Sequence, residues 1–338
     1  MQAIVYRDNG GPEVLHLVER DLPEPGPGEV RVRIAVSGIN PTDWQARSGV
    51  AHRKLFPEVT PHLDGAGVVD TVGEGVDPSR IGQRVWVFMA AAGRPTGTAA
   101  EFAVVPAGQA VPLPDGAGFD VGASLGVPAL TAHRALTVAG NGPSRLHPGA
   151  LNGKVVLAAG GAGAVGHAVI QLARWAGAAV ISTVSGPEKA KLATAAGAHQ
   201  VVNYREGDPA AAMPDGVDLI AEVALGANLA LDLAVLRTGG TIATYANEGG
   251  RKVELNVGQN MVLNSHLHFI VLYTAGPQAR AHAVEDVSAA LRDGALPVGE
   301  EHGLPLTRFP LHRTADAHRA VESGTVGKIL VDVSEPRR

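Results

Sequence analysis

The chain has 338 residues, of which 45% are hydrophobic and 18% charged, with a formal net charge of -5. That length accommodates two domains with separate cores, and the charge balance gives no sign of a nucleic-acid or membrane partner. Cysteine is absent, which excludes disulfides, thiolate catalysis and thiolate metal sites.

Met1-Gln2-Ala3-Ile4-Val5-Tyr6 opens a strand and charge follows at once. That layout is not a signal peptide, and no run of about 20 apolar residues occurs, so a cytoplasmic location is expected. Residues 1 to 130 read as β-rich, with strands at 2–6, 15–19, 29–37, 65–72, 84–88 and 101–106. They are short and separated by clusters such as Pro23-Glu24-Pro25-Gly26-Pro27-Gly28, the pattern of a small barrel-like domain. From 130 to 270 strands alternate with helices. Strands are expected at 155–159, 179–184, 200–202, 217–223, 241–245 and 267–272, and helices at 164–175, 187–196 and 228–236. This is the signature of a doubly wound parallel sheet. A helix at 278–292, a strand at 303–309, a helix at 314–323 and a strand at 328–333 complete the chain. That tail has too few strands for a domain of its own and is expected to return to the N-terminal one.

The most informative stretch is Val155-Val156-Leu157-Ala158-Ala159, then Gly160-Gly161-Ala162-Gly163-Ala164-Val165-Gly166 and an apolar helix. Glycines at 160, 163 and 166 permit a tight strand-to-helix turn. They also let backbone amides at a helix N-terminus approach a pyrophosphate. An NAD site places an acidic residue roughly 20 positions past the glycines, on the ribose 2′-hydroxyl. Between Val165 and Pro187 there is neither Asp nor Glu; the second strand ends at Ser185-Gly186, with Lys189 one turn into the next helix. A hydroxyl, backbone amides and an ammonium attract a 2′-phosphate that a carboxylate would repel. Tyr204-Arg205, after the third strand, could close the same pocket. NADPH is therefore the expected cofactor.

Several blocks in order then carry a resemblance: Gly38-Ile39-Asn40-Pro41-Thr42-Asp43, Arg47-Ser48-Gly49, Asp64-Gly65-Ala66-Gly67-Val68-Val69, Gly97-Thr98-Ala99-Ala100-Glu101-Phe102, the segment Leu125 to Leu136, Val202-Asn203-Tyr204-Arg205-Glu206, Gly239-Gly240 and Gly327-Lys328-Ile329-Leu330. Nearly end to end, the chain resembles the zinc-free, ζ-crystallin-like quinone oxidoreductases of the medium-chain dehydrogenase/reductase superfamily. The resemblance implies an α/β architecture: a GroES-like β-rich catalytic domain, residues 1–128 and 273–338, beside a Rossmann NADPH-binding domain, residues 129–272. It implies Gly163, Ala164 and Val165 under the pyrophosphate, and Ser185, Lys189 and Tyr204 at the 2′-phosphate. Ala243, Tyr245, Asn247 and Leu272 would line the ribose and nicotinamide, with Thr131 and Asn40 flanking the ring. Asn40 could equally cap a turn, and Thr131 could start a helix.

Zinc-dependent relatives carry a catalytic Cys and His where this chain has Asn40 and Leu63. His62 lies one residue off that slot, and a catalytic zinc needs about three protein ligands, so no metal is expected. His266 and His268 share a strand face and read as sheet or interface residues. Many of these oxidoreductases have a tyrosine where this chain has Gln45, an amide that cannot act as an acid near neutral pH.

The implied activity is transfer of hydride from NADPH to a quinone or other activated alkene or enone, with Asn40 or a nearby amide on the developing oxyanion. Two alternatives stand beside it: an enoyl-thioester reductase using Arg53-Lys54 and Arg94 for a phosphopantetheine arm, and a weakly active NADPH-binding sensor or structural protein. The substrate pocket is expected from loop 48–58, segment 89–98 and the cleft between the domains. The apolar strand 267–272, at a sheet edge, is expected to pair with its mate in a homodimer.

Overall fold

In the computed structural model the described residues are 1–50, 54–248, 250 and 252–334. The chain divides into one unit of residues Met1–Val127 and Leu306–Arg338, and a second of residues Pro128–Pro305.

The first unit opens with β1 (Gln2–Val5) and β2 (His16–Glu19), paired antiparallel. Next come β3 (Glu29–Ile39), α1 (Pro41–Ser48), β4 (Asp64–Val72), β5 (Arg84–Val87), β6 (Phe102–Pro106) and β7 (Ala110–Pro112). The helix α2 (Phe119–Leu136) carries the chain out of this unit. Among the described residues eight further strands and six helices follow. They are β8 (Val155–Ala159), α3 (Ala164–Trp175), β9 (Ala179–Val184), α4 (Pro187–Ala195), β10 (Gln200–Asn203), β11 (Val217–Glu222), α5 (Leu225–Val235), β12 (Leu236–Thr244), α6 (Val257–Leu263), β13 (His266–Phe269), α7 (Pro277–Arg292), β14 (Leu306–Pro310), α8 (Thr314–Glu322) and β15 (Lys328–Asp332).

β14 and β15 return to the first unit, giving a seven-stranded sheet of order β14-β15-β3-β4-β5-β7, with β6 also on β3. Alternating valines of its strands (Val30, Val32, Val69, Val85, Val87, Val105) form one core, as period-two patterning requires. The second unit holds a six-stranded parallel sheet of order β10-β9-β8-β11-β12-β13. Its strands read as continuous apolar runs because both faces are covered: Leu157, Ile181, Ile220 and Ile242 pack with Leu225, Leu233 and Val235 of α5.

Three expectations need correction. The return to the first unit begins at 306 rather than 273. The helix α7 stays with the second unit because its Asp286 is held by His133, Arg145 and the Leu146 amide, while Gln171 of α3 donates to the Pro297 carbonyl. The first junction falls between 127 and 128. The last parallel strand is shorter than 267–272: β13 ends at Phe269, and Leu272 begins a 3-10 turn.

The helix α2 is two helices joined across Gly126, whose φ of -15 and ψ of -105 are not helical. At the kink the Val127 amide donates to both oxygens of Asp64, at 3.0 and 2.9 Å. A Cβ at 126 would lie 2.0 Å from Asp64 Oδ1, so only glycine admits the carboxylate there.

Candidate functional site

In the second unit the sheet order reverses direction between β8 and β11, and ligands of such sheets bind beyond the strand C-termini at that point. The glycine turn lies there. Gly160 has φ +71, open to glycine alone at little cost. Cβ atoms at 161 and 166 would lie 2.1 Å from Ser182 Oγ and 2.4 Å from the Gly160 carbonyl oxygen. A Cβ at Gly163, the N-cap of α3, would meet only the Gly160 carbonyl at 3.4 Å, and no side chain caps the helix. The amides that begin α3, at Ala164 and Val165, thus have no side-chain claimant, as an anion site at a helix N-terminus requires.

Ser185 follows β9 and Tyr204 follows β10. These strands are paired neighbours, and the Tyr204 amide donates to the Val184 carbonyl at 3.0 Å. Lys189 sits in the first turns of α4 without a salt-bridge partner among the described residues, whereas Lys191 pairs with Glu188 at 2.9 Å. Tyr204 is 46% exposed, so its ring offers a face beside the strand ends. Ala243 is buried on β12 between Ala221 and His268. Tyr245 donates its amide to the Glu222 carbonyl at 3.1 Å, Asn247 bridges Ala224, and Leu272 is buried just past β13. Thr131 is buried inside the second half of α2 rather than at its start. The strand-end residues named from sequence therefore gather at the C-terminal edge of one sheet, and their chemistry fits a dinucleotide phosphate. Chemically, a nicotinamide cofactor bound there would supply a hydride.

The first unit holds a buried polar cluster around Asn40, which is 2% exposed. Asn40 precedes α1, and its amide N–H donates to Asp43 at 2.7 Å in a capping arrangement. Its side-chain Nδ2 donates to Asp64 at 2.7 Å, and its Oδ1 accepts from the Lys328 ammonium at 2.8 Å. One Nδ2 hydrogen is left over from these two bonds. Burial pushes Asp43 up to about 7 and Asp64 up to about 6, while Lys328 holds both down. Lys328 itself is lowered, by burial first.

A second chain of hydrogen bonds adjoins it. Thr98 Oγ1 donates to the Asp64 carbonyl at 2.6 Å, so it must accept from Ser37 at 2.7 Å. Ser37, its hydrogen used, accepts from His62 Nδ1 at 2.8 Å. A neutral His62 then accepts at Nε2 from His318 Nε2, 2.9 Å away. Burial lowers both imidazoles, His318 to about 3. His62 adopts φ +79, which turns it into this chain.

The zinc slot does not fit a metal. Asn40 is committed to Lys328 and Asp64, Leu63 is apolar, and His62 is committed to Ser37 and His318. Among the described residues no three His, Asp or Glu side chains group as metal ligands. Arg53 lies outside the described residues, Lys54 donates to the Pro57 carbonyl at 2.8 Å, and Arg94 pairs with Glu29 at 2.7 Å. No basic groove forms from the last two. Gln45 is half-buried on α1.

Sequence reading missed two features. Lys328 entered only as part of a terminal block, although a lysine opening the otherwise apolar stretch Ile329-Leu330-Val331 is a signal. The buried acid pair Glu222 and Asp232 was passed over, although Asp232 is the one charge in the apolar run Leu229 to Leu236.

A family model described as the alcohol dehydrogenase GroES-like domain matches residues 26–115, and one described as zinc-binding dehydrogenase matches residues 164–289. The quinone oxidoreductase of Rattus norvegicus is 32% identical over 342 residues, covering 98% of this chain and 97% of that protein. A 2-haloacrylate reductase of a Burkholderia species is 28% identical over 341 residues, 98% of each chain. The crystal structure of Escherichia coli quinone oxidoreductase complexed with NADPH superposes with a TM-score of 0.80 at 26% identity, covering 98% of this chain and 100% of that one. No helix among the described residues is long and apolar enough to cross a membrane. With its GroES-like unit, its parallel sheet and this full-length similarity, the chain belongs to the medium-chain dehydrogenase/reductase superfamily, in the quinone oxidoreductase branch, and is an oxidoreductase.

Proposed function

We propose that this enzyme uses NADPH to reduce a quinone or another activated alkene or enone, without a metal. The observation that carries the cofactor choice is the end of β9. Ser185, the α4 amides and Lys189, which has no salt-bridge partner among the described residues, stand where an NAD site would hold a carboxylate. The reductase names of the rat and Burkholderia relatives support the acceptor class.

The chain's own contributions follow from its residues. The glycine turn and the α3 amides bind pyrophosphate, and Tyr245, Asn247 and Leu272 shape the ribose and nicotinamide end. Asn40 has one amide hydrogen to spare for an acceptor oxygen, oriented by Lys328 and Asp64. A quinone or enone accepts hydride without a strong Lewis acid, which suits a site built from amides. The half-buried Gln45 can orient a substrate but cannot protonate one.

The exposed apolar residues Met261 (75%) and Val262 (80%) of α6, with Phe269 (67%) on the edge strand β13, support a homodimer through that edge. A cytoplasmic location is part of the same proposal.

The test is turnover of NADPH against 1,4-benzoquinone, a small enone and an enoyl thioester. Oxidation with the first or second and little with the thioester supports the proposal. Turnover of the thioester alone replaces it, and tight NADPH binding without turnover points to a sensor.

A further inference from the structure

Glu222 is the last residue of β11, at the point where the sheet order reverses, and it is fully buried. Its Oε1 accepts from the Ala224 amide and from Asn228 Nδ2, the latter at 2.9 Å. Its backbone carbonyl receives the Tyr245 amide at 3.1 Å. The next residue, Val223, lies against the glycine turn, with its Cγ1 3.3 Å from where a Cβ on Gly160 would stand. Ala224 then pairs with Asn247. The carboxylate of Glu222 thus holds the turn into α5, which lies between the phosphate turn and the chain at Tyr245 and Asn247.

The other oxygen of that carboxylate, Oε2, is buried without a hydrogen-bond partner, and the side chain of Asp232 on α5 neighbours Glu222. Asp232 is also buried, and its Oδ2 is likewise unmatched unless a proton lies between the two groups. Neither is in an ion pair among the described residues. Among the described residues Tyr245 lies near Glu222, and Glu248 lies near Tyr245; both are acids. Two carboxylates at such a place cannot both ionise cheaply, so they hold one proton in common.

We infer that Glu222 and Asp232 form a proton-sharing pair that positions the cofactor-facing end of β11, so that the affinity for NADPH depends on a proton that never touches the cofactor. This rests on the cofactor reading above. Burial and the Glu222 charge push Asp232 up to about 9. Loss of the proton would leave two like charges under Ala224 and loosen the segment from Val223 to Asn247. Neither residue contacts the cofactor in this scheme; both are positioning residues.

Fluorescence titration of NADPH onto the full-length enzyme decides it, at about pH 6.5 and about pH 9.5. The wild-type Kd should rise about tenfold more across that interval than the Kd of Asp232→Asn, since the asparagine amide donates to Glu222 at every pH. Glu222→Gln, which donates in the opposite direction, should be equally flat and carries the test if the first variant folds poorly. Ionisation of the 2′-phosphate is common to all three proteins and cancels. Parallel pH dependence in wild type and both variants overturns the inference while leaving the cofactor reading intact. Failure of the wild type to bind NADPH at either pH overturns the cofactor reading, and the inference with it.

Discussion

Replacing Lys328 by methionine removes the single cation from a buried set of two carboxylates and an amide. The ammonium is 2% exposed at residue level and lies 2.8 Å from Asn40 Oδ1, which in turn bonds Asp64. Breaking a buried ionic group by deleting one partner costs about 3–5 kcal/mol. Here the cost should depend on pH, because the carboxylates can escape by binding protons. Asp43, at about 7, and Asp64, at about 6, lie above their unfolded values. A raised folded pKa means that the folded state holds the extra proton; its contribution to stability is complete at low pH and is lost as pH rises through those values. Without Lys328 both values rise further, so the loss of stability continues to higher pH. Each carboxyl adds ~1.4 kcal/mol per pH unit while folded and unfolded states differ by one proton. At about pH 5 the variant should therefore lose only the amide hydrogen bond, about 1–2 kcal/mol. At about pH 8 it should lose about 3–5 kcal/mol. Urea unfolding of both proteins at the two pH values, extrapolated linearly, measures the difference. An equal loss at both would refute the argument that Lys328 acts by holding buried carboxylates ionised.

Gly166→Ala should leave the fold intact but weaken NADPH binding by about tenfold or more, because the new Cβ would stand 2.4 Å from the Gly160 carbonyl and must displace the phosphate turn; fluorescence titration reads it. His318→Phe strands the His62 Nε2 acceptor and should cost about 1–3 kcal/mol at neutral pH. The two histidines have depressed folded values, so the stability they lend is present above the unfolded pKa and falls away as pH drops toward about 3. The variant should show a shallower acid slope, by up to ~1.4 kcal/mol per pH unit, in denaturant unfolding below about pH 6.5; an unchanged slope would contradict the neutral-pair assignment. Val262→Glu, which puts a charge on the exposed face of α6, should shift the protein toward the mass of one 34.6 kDa chain in light scattering. A wild type already of that mass would remove the dimer proposal.

Local physics explains which parts of this molecule sequence could reveal. The parallel strands announce themselves as apolar runs such as Val155–Ala159, and α3 follows the glycine turn from Ala164 to Trp175 as its periodicity requires. The helix α2 was not legible because Gly126 and Pro128 interrupt the pattern; they mark a kink held by Asp64, a residue 63 positions from Val127. The short α6 carries Met261 and Val262 outward, so it lacks the buried stripe by which helices are recognised.

The candidate site divides in the same way. Ser185, Lys189 and Tyr204 could be placed together because strand order in a doubly wound sheet puts successive strand ends side by side. The cluster of Asn40, Asp64 and Lys328 could not, since the lysine lies 288 positions from the asparagine and only the pairing of β15 with β3 brings them together. Glu222 and Asp232 are near in sequence, but a carboxyl in an amphipathic helix is normally solvated. Its burial was decided by packing of α5 on the sheet.

The central claim, an NADPH-dependent reductase of activated alkenes, is tested most directly by the initial rate of cofactor oxidation with 1,4-benzoquinone, NADPH and NADH side by side. The account predicts rapid oxidation of NADPH and little of NADH, as expected of a β9 terminus with a hydroxyl and an ammonium but no carboxylate. A preference for NADH would contradict the cofactor assignment, and no oxidation of either would contradict the acceptor.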